Sequence, residues 1–225
     1  MVQITPEKAG AKQEAMKPIA RILGIAVVSL LVGITAGCSA TRPTKYYVLD
    51  APATPTAPAQ EPIPVRLIVG HVTGSRLYHD SRIVYGTSSV QLGTYEYERW
   101  SESPVDLLQD MLVQSLRNSG QYRSVSRIGS SARGDYVVRG HLDALDEIDK
   151  PALAARFTFR LELFDPASGS TLWTGSYTHD EPVQGKQVSD VILAMDRNVE
   201  AGLQQLTAGL NQYLLSHRPQ SSAGD

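Results

Sequence analysis

The chain has 225 residues, of which 42% are hydrophobic and 20% are charged, and its formal net charge is −2 at pH 7. This length fits one domain together with targeting and linker segments, because typical domains hold roughly 100 to 200 residues. Residues 1–37 hold four basic and two acidic side chains, so the remainder has 17 basic and 21 acidic ones and a net charge of −4. An acidic body argues against nucleic acid as a partner.

The first 37 residues have the organisation of an export signal. Lys17 and Arg21 give a positive segment, residues 22–34 are apolar apart from two glycines and a serine, and small residues occupy 35–37. The apolar run is shorter than the ~20 residues of a spanning helix, so the pattern predicts a signal peptide over 1–37 instead of a transmembrane segment. Because residues 1–15 do not resemble such a signal, we expect translation to start at Met16.

Cys38 directly follows this signal and is the only cysteine of the chain. The stretch Ile34-Thr35-Ala36-Gly37-Cys38 resembles the lipobox of bacterial lipoproteins, which implies a diacylglycerol on the Cys38 sulfur and a further acyl chain, such as palmitate, on its amine. The alternative is an ordinary signal peptide that ends near a buried cysteine. Ser39 is not the Asp that marks inner-membrane retention in enteric bacteria, so the resemblance implies the periplasmic face of the outer membrane.

A Pro-rich segment follows Cys38. An apolar strand candidate covers 46–49, and the next fourteen residues, 51–64, contain five prolines among Ala, Thr and Gln. Such a composition cannot build a core, so we interpret 38–64 as the lipidated N-terminus and an extended tether. The folded domain is expected over 65–217, and the polar tail 218–225 is expected to be disordered.

Apolar runs and strict alternation predict the strands of the domain. Strands are expected at 65–69, 83–85, 90–97, 135–145, 155–164 and 170–177. The second and third should form a hairpin that turns through 86–89. In 155–164, aromatic and aliphatic residues alternate with charged ones, which indicates one buried and one wetter face.

Two helices are predicted. Ser103 is a good N-cap, Pro104 suits the first helical position, and Asp106 suits the positive end of the helix dipole, so a helix should run from here to Asn118. Residues 188–216 form a second helix with one apolar stripe, Ile192, Met195, Val199, Leu203, Leu206, Leu210 and Tyr213. This stripe is suited to packing on a sheet, although so long a helix could also offer a face to a partner.

The order strands, helix, strands, helix predicts an α+β fold, namely a largely antiparallel sheet with two helices packed on one face. The sequence contains no internal repeat that would suggest another architecture.

No arrangement of residues in the sequence predicts catalysis, a cofactor or a metal. The five histidines are scattered without a metal-ligand spacing, and nucleophile-elbow, P-loop and dinucleotide patterns are absent. His71 and His79 with Asp80 are the best metal candidate. The long gap between the two histidines favours side chains that bind no metal. Acidic residues cluster at 143–149 without the spacing of an EF-hand, which favours a solvated loop over a calcium site.

The most distinctive segment is 95–104, with the sequence YEYERWSESP. Tyr, Trp and Arg dominate interface hot spots, so large aromatics and an arginine just before a capped helix are typical of a docking edge. The alternative is that Trp100 and one tyrosine close the core over the helix start. The partner-binding hypothesis includes the helix stripe and names Tyr95, Tyr97, Arg99, Trp100, Ile192 and Val199.

Together with the lipobox, residues 45–49, the 95–104 segment, the Leu-rich helix and the run DYVVRGHL at 135–142 give the chain its family resemblance. It resembles the ABC-type transport auxiliary lipoproteins of the PqiC-like kind. The resemblance implies a non-catalytic outer-membrane component of an MCE-type system that moves lipid between the inner and outer membranes.

The implied partners are an MCE-domain protein and its inner-membrane permease complex, and the protein itself could form a homo-oligomeric ring. Two other functions are weighed against this one. A secretion or surface-assembly lipoprotein that forms or guides an outer-membrane pore requires long amphipathic hairpins, of which 83–97 is the one candidate. A lipid hydrolase requires a nucleophile with a base.

Overall fold

The computed structural model of the protein describes residues 42–50, 62–88 and 90–217. The export signal with its Met16 start, the lipid attachment at Cys38, the Pro-rich residues 51–61 and the tail 218–225 lie outside the described residues, so the predictions made for them remain predictions. By its internal contacts the chain divides into the units Met1–Pro43 and Thr44–Asp225. The fold below is that of the second unit.

The described residues form nine strands, a short 3-10 helix and two α-helices. The strands are β1 Lys45–Tyr47, β2 Ile63–Val69, β3 Thr73–Gly74, β4 Arg82–Ser88, β5 Gln91–Trp100, β6 Tyr122–Arg127, β7 Tyr136–Ile148, β8 Ala154–Asp165 and β9 Ser170–Pro182. The 3-10 helix is Arg76–His79, and the α-helices are α1 Pro104–Asn118 and α2 Val188–Ser216.

The 13-residue strand β7 joins the parts of the sheet. One of its edges pairs with β8 along nearly its whole length, and β8 pairs in turn with β9. Its other edge is shared in succession by β2, β3 and β4, which pair with residues 136–138, 141–142 and 146–148. The sheet therefore forks at β7 into a β2–β6 branch and a β4–β5–β1 branch.

The α+β class is confirmed, but the prediction of a largely antiparallel sheet is wrong. Five of the eight strand pairings are parallel, namely β1–β5, β2–β6, β2–β7, β3–β7 and β4–β7. The antiparallel pairings are β4–β5, β7–β8 and β8–β9, each between strands that are consecutive in the chain. Periodicity detects single strands and tight hairpins, whereas the parallel pairings join strands that are not consecutive in the chain.

Helix α1 begins and ends as predicted. The Ser103 side chain accepts a hydrogen bond from the Asp106 backbone N–H, and Pro104 is the first helical residue. The apolar side of the helix packs against β2, β6 and β7, and Leu108, Leu112 and Leu116 are fully buried there.

Helix α2 spans the predicted range and packs on β8 and β9. Its apolar stripe lies in the same hydrophobic cluster as the inward residues of β8, such as Phe157 and Phe159. Gly202 permits this close approach, because a Cβ there would come within 2.7 Å of Tyr177 and 2.8 Å of Phe157. The helix therefore uses its stripe to complete the core.

The structure adds three elements that the sequence did not predict: β3, the 3-10 helix and β6. Because β1 pairs with β5, residues 45–47 belong to the same sheet as β2, which follows them in the chain. Neither helix within the described ranges is long and apolar enough to cross a bilayer.

Asp146 of β7 is a buried acid of the sheet, and its residue surface is 4% exposed. The Tyr78 hydroxyl donates to its Oδ1 at 3.5 Å. Burial raises the pKa of Asp146 to about 6, although the nearby Arg156 opposes this shift. The folded protein therefore binds a proton between about pH 4 and 6 that the unfolded chain does not.

Replacing Asp146 with Asn should stabilise the protein at neutral pH. A raised pKa means that stability is fully present below the unfolded value and is lost as the pH rises through about 6. Asn carries no charge, so Asp146→Asn should gain on the order of 1–3 kcal/mol over the parent at pH 7.5 and little at pH 4, as measured by thermal denaturation of the full-length protein.

Asp143 is the matched control, since Arg160 lowers the pKa of this more exposed carboxyl. Asp143→Asn should give no gain at pH 7.5. Equal effects of Asp146→Asn at both pH values would contradict the account of a buried charge.

Candidate functional site

The candidate site is the edge of the sheet where β1 joins β5, here called the anchor edge and defined as residues 45–47 and 97–100. The two strands run parallel, with Lys45 opposite Glu98, Tyr46 opposite Arg99 and Tyr47 opposite Trp100. Opposed residues share a face, so Tyr47 and Trp100 lie on one side and Tyr46 and Arg99 on the other. The Ser101 N–H also donates to the Tyr47 carbonyl at 2.7 Å.

Glu98 holds β1 on the inner side of the anchor edge. Its carboxylate is almost fully buried, accepts a hydrogen bond from the Tyr47 hydroxyl at 2.7 Å and lies 3.4 Å from the Lys45 ammonium. Burial, together with this hydrogen bond, raises the pKa of Tyr47 to about 12. A buried carboxylate is tolerated only with such partners, so Glu98 favours the conformation in which β1 is paired with β5.

The outer side of the anchor edge is exposed. Tyr46 is 67% exposed and Val48, just beyond β1, is 60% exposed. The Arg99 guanidinium lies 3.8 Å from the Asp80 carboxylate, which Arg82 also binds through two hydrogen bonds that lower the pKa of Asp80. Tyr97, two residues before Arg99, is half-buried. This side combines an exposed aromatic ring with the arginines that surround Asp80.

The chain after β1 is fastened to α2. Leu49 is buried, and the Asp50 N–H donates to Asp196 Oδ1 at 2.9 Å. Burial raises the pKa of Asp196, and the Asp50 hydrogen bond opposes that rise. Residues 45–50 therefore attach to two elements, β5 and α2.

Only some of the residues named in the partner-binding hypothesis are accessible. Trp100 and Val199 are 0% exposed and Ile192 is 6% exposed, so these three form part of the core and are not surface contacts in this fold. The 95–104 segment alternates, which points Trp100 inward, and the α2 stripe meets the sheet. Tyr95 is half-buried, with its hydroxyl donating to Glu147 at 2.8 Å and its ring against Tyr85. Tyr97 and Arg99 remain on or near the surface.

The acidic residues of the two metal candidates have other partners. Asp80 binds Arg82 and Arg99, Asp143 binds Arg160, and Glu147 accepts from Tyr95. Within the described ranges, no three His, Cys, Asp or Glu side chains converge to a group that could hold a metal ion. These carboxylates contribute to folding contacts.

A second feature, which the sequence did not predict, is a groove of about 710 Å³ on the side of β7 and β8 away from the helices. Its walls combine apolar residues, among them Val137 and Phe164, with the charged Arg139 and Glu162. Outward alternation in both strands is the signal that could have indicated it, because every second residue there faces away from the core.

A family comparison identifies the class. The model of the ABC-type transport auxiliary lipoprotein component matches residues 47–207, which is most of the chain. The protein therefore belongs to this family of auxiliary transport components, and the resemblance drawn from its sequence is confirmed. The match begins at Tyr47, the last residue of β1, and ends within α2, so it covers β2 to β9 and α1. No curated protein sequence matches the chain.

Solved structures show the same fold. A crystal structure of a Xanthomonas campestris protein aligns with a TM-score of 0.71 and 19% identity over 77% of this chain and 98% of the other. A second crystal structure, of an uncharacterized protein, aligns with a TM-score of 0.56 and 14% identity over 77% and 99% of the two chains. At these identities the likeness extends to the fold alone.

Replacing Glu98 with Ala should loosen β1. The change removes the partner of Tyr47 and Lys45, a loss of about 1–2 kcal/mol for a hydrogen bond to a charged group. Hydrogen exchange of the Ser101 amide, which is bonded to Tyr47, should become roughly tenfold faster in the full-length protein.

Glu96→Ala is the matched control, because Glu96 belongs to the same strand and is exposed. Its Ser101 exchange should equal that of the parent. Unchanged exchange in Glu98→Ala would show that β1 is held without the carboxylate.

Proposed function

We propose that this protein is the lipid-anchored, non-catalytic component of an MCE-type intermembrane lipid transport system. It docks the MCE-domain protein, and through it the inner-membrane permease complex, at the periplasmic face of the outer membrane. Cys38 carries the lipid anchor, and the outer side of the anchor edge is the docking surface. The family supports the auxiliary transport role, and the finer assignment is ours.

The distance between Cys38 and β1 supports a docking surface near the membrane. Lys45 follows Cys38 by seven Cα–Cα steps in the sequence. A chain extends at most about 3.6 Å per residue, so the anchor edge lies within about 25 Å of the lipid attachment point. A lipid on Cys38 would limit how far this edge can move from the bilayer.

The observation that carries the proposal is the exposed Tyr46 beside Arg99 on a strand that Glu98 fixes in place. Tyr and Arg provide contact area and charge, and a fixed backbone lowers the entropy that docking costs. A partner with an acidic and apolar surface matches this side. A homo-oligomeric ring is part of the proposal.

The alternative of a pore-forming or pore-guiding lipoprotein has less support. It required the 83–97 hairpin to leave the body and line a bilayer. In the structure β4 of this hairpin pairs with β7 as well as β5, and Ile83 and Val84 are buried in the core. Releasing the hairpin would break the sheet.

Replacing Cys38 with Ala should release the protein from membranes, because no acyl chain can be attached to Ala. Fractionation of cells should move the protein from the membrane to the soluble fraction.

Ser39→Asp is the control that keeps the anchor. In bacteria that follow the enteric sorting rule, it should stay with membranes and shift from the outer to the inner one. Membrane association of Cys38→Ala equal to that of the parent would contradict the anchor.

Tyr46→Ala and Arg99→Ala should each weaken docking without unfolding the protein. A hot-spot side chain contributes about 2 kcal/mol to binding, so recovery of an MCE-domain protein in crosslinked pull-downs should fall severalfold while the melting temperature of each variant stays near that of the parent.

Two further variants serve as controls for this test. Arg123→Ala removes an exposed arginine from β6, at the other end of the strand order, and should keep recovery unchanged. Trp100→Ala should lower thermal stability, since it empties part of the core. Normal recovery with Tyr46→Ala and Arg99→Ala would exclude the anchor edge as the docking surface.

A further inference from the structure

The groove between β7 and β8, here called the outer groove, has an apolar part and a charged part. Ile128, Val137 and Phe164 contribute apolar surface, and Ile128 is 41% exposed. Arg139 and Glu162 contribute opposite charges and stand directly across from each other on the two strands. A groove of about 710 Å³ is within the usual range of small-molecule sites, about 300–1,000 Å³.

Arg139 packs on an aromatic ring and has no carboxylate partner in the part of the chain that the structure describes. Its guanidinium carbon lies 3.5 Å from the centre of the Phe164 ring. Among the described residues, no carboxylate lies within 4.0 Å of this guanidinium, although Glu162 is the cross-strand neighbour. A guanidinium stacked on an aromatic face still presents its N–H donors at the edge, in the geometry that binds phosphate.

Glu162 is the matching anion. Because Arg139 turns toward Phe164, Glu162 has no ion pair within 4.0 Å among the described residues. The other cation beside it, Arg160, is bound by Asp143 through two hydrogen bonds of 2.8 and 2.9 Å, and it attracts Glu162 only through longer-range charge. His141 is held at its Nδ1 by Thr73 at 2.7 Å. The outer groove therefore presents one available positive charge and one available negative charge side by side.

This pairing selects a zwitterion. Cross-strand neighbours are about 5 Å apart at Cβ, so one small ligand that carries both a phosphate and an ammonium can meet both side chains. A free phosphate would satisfy Arg139 alone and would be repelled by Glu162. A wholly apolar ligand would leave both charges desolvated and unpaired, which is costly.

We propose that the outer groove binds the headgroup of a zwitterionic phospholipid of the phosphoethanolamine class. Arg139 binds the phosphate, Glu162 binds the ammonium, and Ile128, Val137 and Phe164 contact the first part of an acyl chain. The inference deepens the proposed function and rests on it for a lipid as the source of this headgroup. It assigns to the protein a direct contact with the transported class of molecule, separate from the anchor edge.

The test uses the full-length protein in its own membrane. Ile128 is replaced by a benzophenone amino acid in cells grown with radioactive phosphate, the cells are irradiated, and the protein is purified under denaturing conditions. We expect radioactive phosphate to remain on the protein and mass spectrometry of the labelled peptide to identify phosphatidylethanolamine. Leu215, an apolar residue of α2 with a similar exposure of 45%, is the control position and should be labelled far less.

Charge variants test the assignment of the two groups. In the Ile128-labelled protein, Arg139→Gln and Glu162→Gln should each lower labelling about tenfold, as expected for one charge-assisted contact. Arg156→Gln is the matched control, since Arg156 lies on the same face of β8 and pairs with Asp180. It should leave labelling unchanged. Each substituted residue is exposed or half-exposed, and the melting temperature of each variant serves as the check of folding.

Four results would overturn the proposal. They are equal labelling at the two positions, labelling insensitive to both charge variants, attachment of an anionic lipid that depends on Arg139 alone, and crosslinking to a protein in place of a lipid. The same experiment in the Tyr46→Ala background separates this inference from the docking function. Loss of docking with retained lipid labelling would leave the outer groove as proposed, and normal docking without labelling would remove only the lipid site.

Discussion

The fold depends on the continuous pairing of β7 on both of its edges. Its backbone groups hydrogen-bond to β8 on one side and to β2, β3 and β4 in turn on the other. A strand in this position cannot be shortened without leaving buried N–H and C=O groups unpaired. Because β7 alone connects the two branches, it also sets the distance between the anchor edge and the outer groove.

The two sites lie toward opposite ends of β7. The branch that ends in the anchor edge joins β7 at residues 146–148, and the outer groove uses residues 137–141. The anchor edge is formed by an added edge strand, β1, and its outer side is exposed to solvent. The other is formed by outward-facing side chains on the helix-free face. The separation of the two sites leaves room for both proposed ligands on the protein at the same time.

Local patterns predicted the elements well and their neighbours less well. Helix α1 was predictable because Ser103, Pro104 and the leucine spacing are local signals, and the range of α2 followed from a single stripe. Strand β6, with the sequence YRSVSR, buries only Tyr122 and Val125, so its composition does not indicate a strand. Its pairing with β2 defines it as one. The parallel pairings required knowledge of contacts between distant parts of the chain.

The residues of the two candidate sites show the same difference between local patterns and contacts made by distant parts of the chain. The 95–104 segment contributes β5 to the anchor edge, but alternation buries Trp100, and the exposed Tyr46 opposite Arg99 comes from a separate strand. The residues of the outer groove come from β7 and β8, and only their register brings Arg139 and Glu162 together. Residue type alone gave no reason to choose these two from among the charged positions.

The central claim is that the outer side of the anchor edge contacts the MCE-domain partner, and site-specific crosslinking tests it most directly. Cys38 is the only cysteine, so in the lipidated protein Tyr46→Cys provides a unique thiol for a short thiol-to-amine crosslinker in intact cells. The account predicts a crosslink to the MCE-domain protein from this position and none from Ser176→Cys on β9. Crosslinking from Ser176→Cys and not from Tyr46→Cys would contradict it.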